Sequence, residues 1–384
     1  METAIETKPA QNEAPGHAKI SLANLKQALK TVGMAIERTA TIPVLQCVRM
    51  EQVEDGLALE STNLDLYIRT VVAELGGPEK PILIPAAKFT AWAKLLDGED
   101  VKITTTALRA TVQCARAKAV LPILSAAGWP DTTATNIKGD GISLVQGQFA
   151  RALKFALIAM SVEESRYTLN GIKAEGDGTS LRLIATDGHK LMAYTMPCGE
   201  KIDVLLPGRF VKTLVPLLTD EDGGLDLTMN DKSILATIFA DNKLLVASNK
   251  LAGTFPQWQA IMPKDKRTTV TIKVADLLPS LERALLMSGE YTALDLRFAQ
   301  QLTVSAADAN AGEATETVEC TGGPADELHM RINGSYLLGL IKLLDSAATV
   351  DFGLPKDNMK PMLLKATPCE GETLDYIIMP MAIK

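Results

Sequence analysis

The sequence predicts an α+β fold built three times over, and three observations predict it. The same order of elements (helix, strands, strand–Pro–helix, strands) recurs along the 384 residues. Each pass closes on an aromatic residue or Met followed by Pro: Trp129-Pro130, Phe255-Pro256 and Met379-Pro380. The period, roughly 125 residues, is domain-sized and too long for a solenoid.

Residues 1–17 are polar, hold two prolines and lack periodicity, so they read as a disordered tail. The repeats are expected over 18–138, 139–263 and 264–384. In the first, Leu22, Leu25, Leu29, Val32 and Ile36 recur at helical spacing and Gly33 is tolerated among them. Strands follow at 44–53 and 57–75, the latter interrupted at Thr62-Asn63. Pro85 then opens a helix whose apolar face is Phe89, Trp92, Leu95 and Leu96 and whose stop is Asp97-Gly98. The second copy repeats this with an amphipathic helix at 147–161 and a strand–Pro–helix–strand run at 204–229. The third has helices within 274–288 and 331–354 and replaces the Asp-Gly turn with Ala, Asp and Asn.

The stretch 166–197 sets the second copy's centre. Leu181, Leu183 and Ala185 alternate with Arg182, Ile184 and Thr186, which argues a strand. Asp187-Gly188 breaks the run as a hairpin turn needing positive φ, and His189, Lys190 and Leu191 begin the return strand.

The net charge of −7 speaks against nucleic acid on average, but its distribution does not. The six helices carry Lys26, Lys30, Lys88, Lys94, Arg151, Lys154, Arg209, Lys212, Arg283 and Lys342 against only Asp276 and Glu282. That is about +8 on the helices and about −15 elsewhere. A shared positive surface facing a polyanion follows, without any helix-turn-helix, zinc-finger spacing or aromatic platform for reading bases.

Five scattered cysteines fit reduced thiols in a cytosol, and no apolar run is long enough for a membrane span, so a soluble cytoplasmic protein is expected. Three histidines offer no metal constellation, and no cofactor is expected. A hydrolase using Asp187 and His189 is the rival reading. It lacks G-x-S-x-G, and residues i,i+2 across a turn do not orient one another as a triad. A multidomain scaffold without DNA contact is the third, though it needs no segregation of charge.

Four motifs together, R-x-x-L-N-G-I (166–172), A-T-D-G-H-K-L (185–191), F-P-x-W (255–258) and M-P-M (379–381), make the chain resemble the bacterial DNA polymerase III beta subunit family, the replicative sliding clamps. The resemblance runs from about Lys19 to the C-terminus. It implies three α+β domains per chain and a head-to-tail homodimer closed into a ring around double-stranded DNA. It implies no catalysis and no membrane partner. The replicative polymerase, the clamp loader and other repair and replication enzymes would be held through short linear peptides. Their pocket would be formed by Arg166, Leu169, Thr186, Gly188, His189, Lys190, Leu191, Pro256 and Ile261 on one side. Met359, Pro361, Met379, Pro380 and Met381 would form the other. DNA contacts would fall to Arg38, Lys88, Tyr167, Arg209, Tyr291, Asn333 and Tyr336. The dimer contact would bring Leu121 and Leu124 against Leu286 and Met287. The chain departs from the family pattern at Ala260, where a basic residue is common, and at the end M-P-M-A-I-K.

Overall fold

Six α-helices carry the repeat: α1 (Leu22–Val32), α2 (Ala86–Lys94), α3 (Gln146–Leu157), α4 (Gly208–Leu214), α5 (Val274–Leu286) and α6 (Gly334–Ile341). The computed structural model describes residues 17–383 apart from 38, 74–75, 79, 107, 131–136, 220–221 and 240–242. The tail assigned to 1–17 therefore lies outside the described residues except for His17, which instead opens the strand His17–Ser21.

Local chemistry explains where the helices begin. Ser21 caps α1, its Oγ accepting from the Asn24 amide at 3.2 Å. Pro85 and Pro207 each end a strand and stand at the N-cap of α2 and α4, one position before the first helical residue. The third copy has Asn333 there, with its side chain accepting from the Ser335 amide at 3.0 Å. Leu95 does not belong to the apolar face of α2. The helix ends at Lys94, and Leu95 is 85% exposed while Ala86, Phe89 and Ala93 are buried.

The chain divides into two compact units, 1–141 with 223–249, and 142–222 with 250–384. The division follows continuous sheets, not the repeats, because the middle copy is split between the two, with 223–249 in the first and most of the rest in the second. In the first unit Leu244–Asn249 pairs antiparallel with Leu66–Val72. One sheet there runs Leu124–Ser125, Ile82–Pro85, Cys47–Val53, Gly56–Thr62, Leu66–Val72, Leu244–Asn249, Ser233–Ile238, Gly224–Met229. The other ends at the outer strand Ala117–Pro122. On one face of the longer sheet Tyr67, Ala247 and Leu235 lie in register and form a buried cluster with Ile137.

In the second unit Lys190–Pro197 pairs antiparallel with Thr373–Ile378. Its nine-stranded sheet runs Lys201–Pro207, Gly171–Asp177, Ser180–Thr186, Lys190–Pro197, Thr373–Ile378, Met362–Ala366, Thr349–Leu354, Thr268–Lys273, Thr321–Gly322. A four-stranded sheet ends at the outer strand Gly312–Glu319. The nine-stranded sheet is covered on one face by α3, with Phe155 stacked on Tyr194 at 5.3 Å between centroids. Beneath the helices Leu183, Ala185, Met192, Tyr376 and Ile378 are fully buried.

Candidate functional site

The site grows from the turn that joins Ser180–Thr186 to Lys190–Pro197. Asp187 Oδ1 accepts from the amides of His189 (2.8 Å) and Lys190 (3.0 Å). Thr186 Oγ1 accepts from the Gly188 amide (3.1 Å) and donates to the Lys190 carbonyl (2.7 Å). Gly188 sits at φ +91°, which only glycine adopts without strain, so the tight pair is Gly188-His189 and the return strand starts at Lys190. The first repeat builds the same turn. Asn63 accepts from Asp65 and Leu66, and Thr62 accepts from Leu64 and donates to Leu66. Asp308 accepts in the same way from Asn310 and Ala311 in the third repeat.

Asp187 is spent on its own turn and on Lys190 Nζ at 3.4 Å. Among the described residues no hydrogen bond joins it to the His189 ring, and no group of His, Cys, Asp and Glu could hold a metal.

Beyond the turn, strand register assembles an apolar floor. Leu191 faces Ile377, and Ile377 faces Leu363, across three neighbouring strands. With Ile184, Ala193, Leu205, Phe255 and Trp258 they form one buried cluster, and Leu251 and Met262 pack on it. Leu191 is only 1% exposed.

The predicted pocket residues gather around this floor. Arg166 donates to the Asp187 carbonyl at 3.1 Å and pairs with Glu163 at 2.9 Å. The half-buried Leu169 closes the turn that Arg166 begins, its amide donating to the Arg166 carbonyl at 2.8 Å. Pro256 lies exposed between the buried Phe255 and Trp258, and Ile261, partly exposed, precedes Met262. The Met379 amide donates to the His189 carbonyl at 2.9 Å and the Met381 amide to the Arg331 carbonyl at 2.7 Å, so the C-terminal segment is held at both ends of Pro380. Pro361 is fixed by Arg267, which donates to its carbonyl at 2.6 Å and to that of Gly353 at 3.1 Å. Met359 is exposed.

Sequence reading missed Leu363, Ile377, Leu251 and Met262 of the floor and the bracing Arg267. Leu251, Met262 and Arg267 lie outside strands, and for Leu363 and Ile377 nothing in one strand's pattern says which residue of a distant strand stands beside it.

The DNA-assigned positions fare differently from one another. Arg38 lies outside the described residues. Lys88 is exposed on α2, Arg209 is exposed on α4, and Tyr167 and Tyr291 are exposed. Asn333 is engaged as the α6 cap and accepts from Thr292 Oγ1 at 2.9 Å. Tyr336 lies under Lys190, whose Nζ is 4.1 Å from the ring centroid. The helix charge is also smaller than its count. Arg151 pairs with Glu372, Arg283 with Glu316, and Lys342 with Glu282. Lys30, Lys88, Lys94, Arg209 and Lys212 are exposed, and none is in an ion pair found among the described residues.

The Arg151–Glu372 pair is buried at its acid end. Glu372, 2% exposed, accepts from Arg151 at 2.8 and 2.7 Å and from the Tyr194 hydroxyl. Burial alone would raise the Glu372 carboxyl, but the bonds from Arg151 and Tyr194 outweigh it and hold the group below its ordinary value.

Comparison with known proteins covers the whole described chain. Profiles of the DNA polymerase III beta subunit match in order: the N-terminal domain at 17–133, the central domain at 143–257 and the C-terminal domain at 259–382. The chain is 27% identical over 372 residues to a protein named beta sliding clamp from Haemophilus influenzae, covering 95% of this chain and 99% of the relative. Against the beta sliding clamp of Pseudomonas aeruginosa it is 27% identical over 382 residues, covering 96% and 100%. Among solved structures, the DNA polymerase III subunit beta of P. aeruginosa superposes with a TM-score of 0.85 at 25% identity, covering 96% and 100%. The P. aeruginosa clamp bound to griselimycin gives 0.86 at 25% identity over the same shares. The sliding clamp of Bacillus subtilis, at 21% identity, shares the fold with a TM-score of 0.87, covering 97% and 100%. Among the described residues no helix is long and apolar enough to cross a membrane.

Proposed function

Because the chain belongs to the DNA polymerase III beta subunit family and is a sliding clamp, we propose that two copies close head to tail around duplex DNA. In this reading the ring works without catalysis in the cytoplasm and tethers the replicative polymerase, the clamp loader and repair enzymes. The observation that carries it is the apolar floor of Leu191, Ile377 and Leu363, framed by the turn 186–190 and the anchored Met379–Met381. Such a floor suits short peptides with Leu- or Phe-sized side chains. Net binding near roughly −8 kcal/mol, or micromolar, lets partners exchange.

DNA is held by enclosure, with phosphates contacted loosely by exposed Lys88, Arg209 and their neighbours. The test is retention. Protein loaded on a closed circle is expected to stay, and to leave within seconds to minutes once the circle is cut. Equal lifetimes on circular and linear DNA would rule enclosure out.

Closure uses two free sheet edges. The outer strand Ala117–Pro122 carries Lys118 and Leu121, with Arg109 on the next strand. The outer strand Gly312–Glu319 carries Glu313 and Glu319 beside the α5 end, where Leu286 is 75% exposed and Met287 approaches Gly312. Opposite charges on two unpaired edges favour pairing of one copy's edge with the other's. Leu286→Arg is expected to shift the light-scattering mass from twice 41.2 kDa to 41.2 kDa. An unchanged mass would move the contact elsewhere.

A further inference from the structure

The sheet face that forms the pocket floor changes character along its strands. At the turn end it presents Thr186, Leu191 and Ile377. One pair of residues on, Leu205, Lys173, Ile184 and Ala193 stand in register, and beyond them Asp203, Glu175, Arg182 and Thr195. The segment 250–259 crosses this face, and a cleft of about 460 Å³ remains between it and the edge strand Lys201–Pro207. Val204, Lys250, Leu251, Thr254 and Trp258 line it, along with Lys173, Glu175 and Asp203.

In the other two repeats the corresponding strand is bonded by the segment that follows. In the first, Leu124 and Ser125 pair with Leu83 and Ile82 of the strand that precedes α2. In the third, the Met381 amide bonds Arg331 in the strand that precedes α6. Lys201–Pro207 holds the same place before α4, yet among the described residues no backbone hydrogen bond ties 250–259 to it. Its outer edge is left for another chain, the usual opening for strand addition. The Trp258 ring, 6% exposed, lies under the Arg182 guanidinium at 5.5 Å.

We propose that this cleft receives the extended residues flanking a partner's pocket-filling side chains, and that it favours flanks carrying carboxylates. The proposal rests on the pocket reading above, because Leu205, Leu251, Phe255 and Trp258 belong to floor and cleft alike. The charge argument is local. Lys173 is held by Asp203, Arg182 donates to Thr195 Oγ1 and lies over the Trp258 ring, and half-buried Lys250 is a cation in no ion pair found among the described residues. The chain as a whole carries −7 and repels acids, so any preference for them must come from here.

The test uses the full-length protein and two fluorescein-labelled synthetic peptides with one Leu/Phe core, flanked by Ser-Ser or by Asp-Glu. The acidic flank is expected to tighten binding roughly tenfold at low salt. Lys250→Glu is expected to remove that gain and leave the Ser-flanked peptide unchanged, and Thr254→Trp, which fills the cleft, to remove the gain while weakening both peptides. No gain from the acidic flank, or a gain that survives both substitutions, would overturn the proposal. If neither peptide bound the native protein, the pocket reading would fall, and this one with it.

Discussion

Leu191→Ala combined with Met381→Ala is expected to weaken capture of a Leu/Phe-containing peptide by about two orders of magnitude, roughly 3 kcal/mol. Leu191 is the central residue of the floor, in register with Ile377 and, through it, Leu363. Leu191 is only 1% exposed, so its truncation acts from beneath, leaving a cavity under the peptide that the rigid sheet cannot close. Met381 acts differently. Its backbone stays bonded to Arg331, so truncation shortens a wall without releasing the segment. The double variant is expected to lose stability too, about 2–4 kcal/mol from Leu191, while dimer mass and retention on circular DNA persist. Fluorescence anisotropy with circular dichroism separates the two effects. Unchanged affinity in a folded double variant would place partner capture elsewhere.

Arg151→Ala is expected to destabilise the second unit by about 3 kcal/mol, read as a lowered urea midpoint. The cost comes mainly from stranding Glu372, which keeps its Tyr194 bond but loses both bonds from the guanidinium. Arg151 itself is about a third exposed, so solvent limits the pair's own attraction. The pH dependence follows from the depressed Glu372 carboxyl. A group lowered on folding stabilises fully above its ordinary value and loses that contribution as pH falls through its folded value. Acidification below about 4.5 should therefore erode native stability, and Glu372→Gln should remove that share of the slope. An acid slope identical in native protein and Glu372→Gln would show that the pair does not couple to protons. Because α3 and the turn before Thr373–Ile378 meet at this pair, its loss is also expected to loosen the strand that leads to Met379.

Legibility in the sequence depended on whether a signal was local. Helices were readable because each carries its own apolar stripe and start, as at Ser21 and Leu25. The hairpin at 186–190 was readable because its bonds join residues at most four apart. Leu95 misled because hydrophobicity reports composition, while its exposure follows from the chain leaving the helix at Lys94. The floor was only half legible. Leu191 stood in a motif, whereas Leu363 and Ile377 matter through a register set across 185 residues of intervening chain between Leu191 and Ile377. Charge on the helices was overcounted for the same reason. Nothing near Arg151 announces Glu372, which neutralises it from 221 residues away.

The row formed by Tyr67, Ala247 and Leu235 in the first unit has the same strand pairing as Leu191, Ile377 and Leu363 in the second. The repeat thus lays down two equivalent floors, but the first is roofed by its own Ile137 and carries a bulky tyrosine where the second has leucine. In the proposed reading, where only the second floor takes a partner peptide, a ring carries one berth per chain and two in a closed pair.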